Sequence, residues 1–303
     1  MSTLIILKQM VMIAILVAIG FAMYRKRIVD DHTSRGMSVI VTDICNPALA
    51  LSCALQGNIQ ATNMDVLKGL GIAAIIYGIM CLIGFLIPKL LGIKGNQQKF
   101  YNLMTVYSNT GFIGIPVAKA VLSDTAMLYV IIFNVMFSLY FYTHGILVMA
   151  EGKERIRIRN LINPGTVMST LTILIVCLHI TLPTIISSTI IYVGGATTFL
   201  SMSLLGISLA KASFREIVGE RILYPYVLLR MLAIPLLLSF VMKLLHVPHD
   251  MLMAFTLMLS MPAANLPMIQ AEKIGEDTTV LSRGIVMTTV FSLASITLVM
   301  TLV

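Results

Sequence analysis

Charge is the scarcest property of this sequence: only 11% of its 303 residues are Asp, Glu, Lys or Arg, against about 25% in an ordinary soluble domain. Hydrophobic residues reach 58%, where roughly 45 to 50% is usual, so the chain cannot cover its own surface in water. That excludes a soluble globular protein and points to a polytopic membrane protein. Cysteine is nearly as rare. Cys45, Cys53, Cys81 and Cys177 all fall inside apolar segments, with neither metal-site spacing nor a secreted disulfide framework. No nucleophile, base and orienting acid are grouped along any segment, which argues against an enzyme, and no cofactor or metal motif occurs. The formal charge is +8, but the basic residues sit in short links between apolar runs. There they report membrane orientation rather than nucleic-acid binding.

Cut at its polar breaks, the chain gives ten runs long enough to cross roughly 30 Å of hydrocarbon. They lie near 4–23, 37–55, 66–87, 103–122, 126–150, 165–180, 184–210, 222–245, 251–271 and 280–303. The expected fold is therefore all-α with ten transmembrane helices. Links after the odd-numbered spans hold most of the Lys and Arg, beginning with Arg25, Lys26 and Arg27. The opposite side receives Lys8, Lys68, Lys119 and Lys243, while Arg230 falls within span eight, from which it can snorkel to the interface. Both termini are thus expected on the extracytoplasmic side of the cell membrane, and the first run is read as a retained helix rather than a signal peptide.

The two halves resemble each other. "DTAML" at Asp124 matches "DTTVL" at Asp277, "FSL" at Phe137 matches "FSL" at Phe291, and Pro116 matches Pro267, each pair 151 to 154 positions apart. This predicts a duplicated five-helix unit with boundaries 1–150 and 164–303, joined by a basic cytoplasmic linker over 151–163. Five is odd, so the second copy lies upside down in the membrane. Inverted repeats interrupted at matching places mark secondary transporters, with the substrate site where the repeats meet.

The interruptions are "SNTGFIGIP" (108–116) in span four and "MPAANLP" (261–267) in span nine. A proline inside a helix costs about 3 kcal/mol or more, and lipid cannot replace the lost hydrogen bond. Spans four and nine are therefore expected to open toward the protein centre and cross there, with Pro116, Pro262 and Pro267 at the crossover. Each following half-helix presents free amides and roughly +0.5 of charge, so two such ends facing one pocket favour an anion. Neither span carries Asp or Glu near its break; the nearest are Asp124 and Glu272. A dehydrated cation would want carboxylates, whereas neutral amides suit a carboxylate ligand. The expected substrate-binding residues are Asn109, Thr110, Gly114 and Asn265, against the plainer reading of each asparagine as a helix cap or an interhelical hydrogen bond. Asp43, about one and a half turns into span two, is a possible ion or proton site. His144 and His179 read as packing or interface histidines, and the 22 methionines as adaptable apolar filling.

"SNTGFIGIPVAKAVL" and "MPAANLPMIQAEKIG" resemble the auxin efflux carrier family, whose bacterial members include malate and malonate permeases. "NPALALSCAL" in span two and "LLGISLAKASF" at the end of span seven are similar to the same family, so the resemblance covers essentially the whole chain. It implies a fold similar to the bile-acid and sodium/proton carriers, with a scaffold domain, a transport domain holding the crossed helices, elevator-type alternation and often a homodimer. It also implies that Asn109 contacts a substrate carboxylate. Two departures bear on the cargo. The plant members' long cytosolic segment is replaced by 151–163, and the serine three residues after the span-two proline is Ala50 here, with Ser52 two further on. The expected function is transport of a small organic anion such as a dicarboxylate. The alternatives are a sodium- or proton-coupled carrier using Asp43 and a non-transporting membrane sensor; no link exceeds about 15 residues, which argues against the sensor. Expected partners are the anion, the lipid bilayer and a second copy of the chain, with no nucleic acid.

Overall fold

A computed structural model describes residues 3–56, 61–151, 164–211 and 220–303. The linker expected at 151–163 lies outside the described residues apart from Glu151. The helices are α1 (Thr3–Arg25), α2 (Asp31–Leu55), α3 (Asn63–Leu90), α4 (Gln97–Val106), α5 (Thr110–Val121) and α6 (Asp124–Met149). They continue with α7 (Pro164–Leu178), α8 (Thr184–Lys211), α9 (Leu223–Leu244), α10 (His249–Leu259), α11 (Leu266–Lys273) and α12 (Thr279–Leu302). Among the described residues there is no β-strand, only one isolated bridge. The protein is an all-helical polytopic membrane protein. Helices α2, α3, α6, α8 and α9 are each long and apolar enough to cross a bilayer alone. By contrast, α4 with α5 and α10 with α11 reach that length only as pairs, and these pairs are the fourth and ninth spans read from the sequence.

Polar residues punctuate the chain as local chemistry requires. The Thr62 hydroxyl accepts the Asp65 amide while Asp65 accepts the Thr62 amide, a capping box that starts α3. Ser123 caps α6 through the Ala126 amide, and Asp30 caps α2 through the Thr33 amide. That amide holds the Asp30 carboxyl below its usual range, and the Thr279 hydroxyl and amide do the same for Asp277 before α12.

Packing sorts the helices into two groups. Helices α1, α2, α7 and α8 lie against one another, and α1 and α8 touch backbone to backbone. A Cβ on Gly206 would overlap the Val17 carbonyl, and one on Gly20 would overlap the Ser203 carbonyl. Such close approach through small residues is how helices associate where lipid removes the hydrophobic drive between them. The second group contains α3 to α6 and α9 to α12. Its interior is an aromatic run: Tyr77 to Phe133 at 4.8 Å, Phe133 to Phe255 at 5.5 Å, and Tyr107 to Phe141 at 5.1 Å. Buried Lys99 fastens one end of it, 2.7 Å from Glu276 and 3.2 Å from Glu151. Outward faces are apolar, with Ile185 83% and Tyr192 85% exposed, as a lipid-facing surface demands.

Candidate functional site

The two breaks meet inside the protein. After α4 the chain extends through Tyr107 and Ser108; after α10 it turns through 260–265. Ser108 and Ala263 form an antiparallel bridge, flanked by hydrogen bonds from the Asn109 amide to the Pro262 carbonyl (2.7 Å) and from the Ala264 amide to the Tyr107 carbonyl (2.9 Å). Backbone groups lost by each helix are thus satisfied by the other, which resolves the cost of breaking a helix at membrane depth. Ser108 is 1% exposed and Ala263 0%. Pro262 supplies an acceptor and needs to donate nothing.

The bridge and the prolines are spaced differently. Ser108 and Ala263 are 155 positions apart, whereas Pro116 and Pro267 are 151 apart. The difference is absorbed by a π turn, Thr110–Gly114, that opens α5. After it, Pro116 is the second residue of the regular helix Ile115–Val121, as Pro267 is the second residue of α11. Pro267 stands at a helix start, where its missing N–H is an unpaired donor in any case, and Pro116 follows the π turn directly, where the helical pairing changes.

The predicted site residues separate by what their polar atoms do. Asn109 Oδ1 accepts the Phe112 amide at 3.2 Å and so caps α5, as the plainer reading required. Its Nδ2 donates no hydrogen bond to the described residues. Asn265, half-buried at the start of α11, has a side-chain amide with no partner among the described residues. Thr110 donates its hydroxyl to Asn134 Oδ1 at 2.8 Å, and Asn134 Nδ2 approaches Ser169 Oγ at 3.4 Å. Gly114 is not on a cavity wall; it packs on Met258 of α10, where an added Cβ would sit 2.9 Å from the sulfur.

Two cavities adjoin the crossover, and Asn109, Phe112, Asn265 and Ile269 belong to the walls of both. One, of about 310 Å³, is also lined by Asp43 and Asn46 of α2, Asn134 and Tyr142 of α6, and Ser169 of α7. The other, of about 300 Å³, runs to the helix ends at Arg35 and Lys211 and includes Ser201, Ser208 and Thr289. Lys211 is paired with Asp31 at 2.7 Å; Arg35 has no carboxylate partner among the described residues. Asp43 is exposed on its cavity wall. Among the described residues no three His, Cys, Asp or Glu side chains cluster as a metal site.

Three features were not read from the sequence. Asn134 and Ser169 join the wall as ordinary helix polar residues without a motif. Arg230 does not snorkel: it is fully buried because α4 and α10 close over it, and it binds the Met104 and Leu259 carbonyls and Ser108 Oγ. Finally, π turns hold Asp43 (Val41–Cys45), His144 (Phe141–Gly145) and Arg230 (Leu229–Ala233), as well as the start of α5. Such turns occur frequently at functional sites. His144 Nδ1 meets the Tyr107 hydroxyl at 2.9 Å, beside the crossover, and Lys119 pairs with Asp124 at 3.1 Å.

No curated protein matches the chain closely enough to count as a relative. A family model described as membrane transport protein matches residues 5–160 and 153–300, which together cover nearly all of it. With its two broken spans hydrogen-bonded to each other at the centre of the bundle, the chain belongs to the membrane transport protein family, that of the auxin efflux carriers.

Proposed function

We propose that this membrane transporter is a secondary carrier of a small organic anion, a mono- or dicarboxylate, which binds at the crossover between the starts of α5 and α11. One observation carries the reading: the amides of Asn109 and Asn265, each at the first turn of a half-helix, border both cavities with donors that no group among the described residues consumes. Two helix starts add roughly +0.5 each, and amide donors match a carboxylate. The cavity leading to Arg35 and Lys211 supplies a cationic approach, which concentrates anions at its mouth. An elevator cycle is consistent with the packing: α1, α2, α7 and α8 would stay as scaffold while the group holding the crossover slides, carrying the site between the two membrane faces.

The test is flux in vesicles. Labelled malate or malonate should enter by a saturable process, competed by other small carboxylates and responsive to membrane potential. Since one charge crossing 100 mV is worth about 2.3 kcal/mol, potential alone could drive it. A second reading, cation-coupled transport, has Asp43 in its favour, because this carboxylate stands on the wall of the same cavity as Asn109. If a panel of carboxylates stays outside while sodium or protons exchange, that second reading replaces the first.

A further inference from the structure

Arg230 is the largest side chain among the fully buried ones, at 0% exposure, in the π turn of α9. A buried guanidinium is costly unless its charge is compensated. Among the described residues no carboxylate pairs with it. Instead Nη1 donates to the Leu259 carbonyl at 2.7 Å, Nε to the Met104 carbonyl at 3.3 Å, and Nη2 to Ser108 Oγ at 2.6 Å. Leu259 is the last residue of α10, and Met104 lies in the last turn of α4. The guanidinium therefore bridges the C-terminal ends of both half-helices that enter the crossover, where unpaired carbonyls gather roughly −0.5 each. Ser108 is the bridge residue itself and precedes Asn109.

In carriers with broken helices, half-helix C-terminal ends and unwound carbonyls are where a coupling cation is held. We propose that Arg230 is a built-in counter-charge that permanently fills this cation place, so that anion transport at the crossover needs no co-transported sodium ion. The inference rests on the transporter reading above. Its logic is electrostatic. Without Arg230 the two C-terminal ends would offset the two N-terminal ends a few residues away, and the crossing would have no preferred sign. With it, the crossover turns its N-terminal ends and the two amides to the cavities, with Asp43 of α2 on the wall of one of them. Arginine also keeps its proton where lysine or histidine could release it, so the charge stays in place throughout a transport cycle.

The experiment uses the full-length protein in vesicles with labelled malonate. Wild-type uptake should be equal in sodium and in choline at constant ionic strength. Arg230→Ala should lower uptake at least about tenfold, the scale of losing hydrogen bonds to a charged group. Added guanidinium or sodium, but not choline, should restore it saturably; Arg230→Lys, which keeps the charge, should fall between. The same ions are titrated against Tm in detergent, a readout that needs no substrate. Arg230→Ala should show a saturable rise with guanidinium or sodium, and the wild type none. Sodium-dependent wild-type uptake overturns the proposal, as does an alanine variant whose uptake and Tm ignore both ions, or one that cannot be recovered even with guanidinium present. If no carboxylate is transported but the Tm pattern holds, the anion reading fails while the counter-charge assignment stands.

Discussion

Replacing Asn109 by Asp separates the cap of α5 from the proposed anion site. The change swaps an amide NH2 for a carboxylate oxygen at nearly constant volume. Its remaining oxygen can still accept the Phe112 amide, 3.2 Å away in the present structure, because Asp caps helices as well as Asn does. A negative charge at a helix start is favourable by about 0.3 to 1 kcal/mol, so folding should be unharmed. Binding should suffer twice, through loss of the free Nδ2 donor and through repulsion. A full charge about 4 Å from a bound carboxylate, at an effective dielectric of about 20, costs about 4 kcal/mol. That corresponds to about a thousandfold in affinity at 1.4 kcal/mol per decade. Water in the 310 Å³ cavity screens part of this, so a hundredfold loss of saturable malonate uptake at pH 7 is a conservative expectation, on the order of 2.7 kcal/mol. Asn109→Ala provides the contrast: it loses the cap, about 1 kcal/mol of stability, but adds no repulsion. The signature is a crossed order, with the Asp variant worse in uptake and the Ala variant worse in Tm. Wild-type uptake and half-saturation in Asn109→Asp would refute the placement of a carboxylate beside this residue.

Asp43→Asn should preserve uptake and lower the half-saturation concentration a few-fold, since it removes a negative charge from a wall of the cavity proposed to hold the anion; abolished uptake would instead make Asp43 the coupling group. Gly206→Val should force α1 away from α8, because its side chain would overlap the Val17 carbonyl. Overpacking of this kind costs about 1 to 3 kcal/mol and should lower Tm in detergent, whereas an unchanged Tm would mean that this contact is slack. Lys99→Met should destabilise by about 1.5 to 3 kcal/mol by leaving Glu276 and Glu151 without their shared cation. Glu151→Gln should cost much less, since that carboxylate is 52% exposed and screened by water.

Much of this architecture was legible because helix breakers at membrane depth have few explanations. Pro116, Pro262 and Pro267, with the glycines and asparagines around them, pointed to two interrupted spans that cross, and the bridge between Ser108 and Ala263 is that crossing. Apolar run length located the spans, although α4 begins at Gln97, six residues before the expected 103, since an amphipathic first turn does not lengthen an apolar run. Register at the break was not legible, because a π turn leaves no mark in composition and shifts one proline by about a turn. Arg230 was misread for a related reason. Depth along a single helix suggested an interface residue, while burial depends on which neighbours cover it, and α4 and α10 are distant in sequence. The contact of α1 with α8 through Gly20 and Gly206 likewise depends on pairing that no single segment reveals.

Crossing two broken helices antiparallel brings four helix ends together, two of each sign, and by themselves these sum to nearly zero. The fold alone therefore selects no cargo, and the selection falls to the side chains on each pair of ends. Here Arg230 sits on the two C-terminal ends, through Met104 and Leu259, while Asn109 and Asn265 stand at the two N-terminal ends, with Asp43 of α2 the acid among the described residues on their shared cavity wall. An acid in place of either asparagine, or an apolar residue in place of the arginine, would tilt the same backbone toward cations. On the proposed reading, Asn109→Asp combined with Arg230→Met should therefore do more than abolish malonate uptake. The double variant should gain a saturable, sodium-specific rise in Tm larger than that of Arg230→Met alone, because the new carboxylate and the uncovered carbonyls form an oxygen-lined site for a hard cation. A double variant with no sodium response would mean that the crossing's polarity is fixed by the backbone rather than by these side chains.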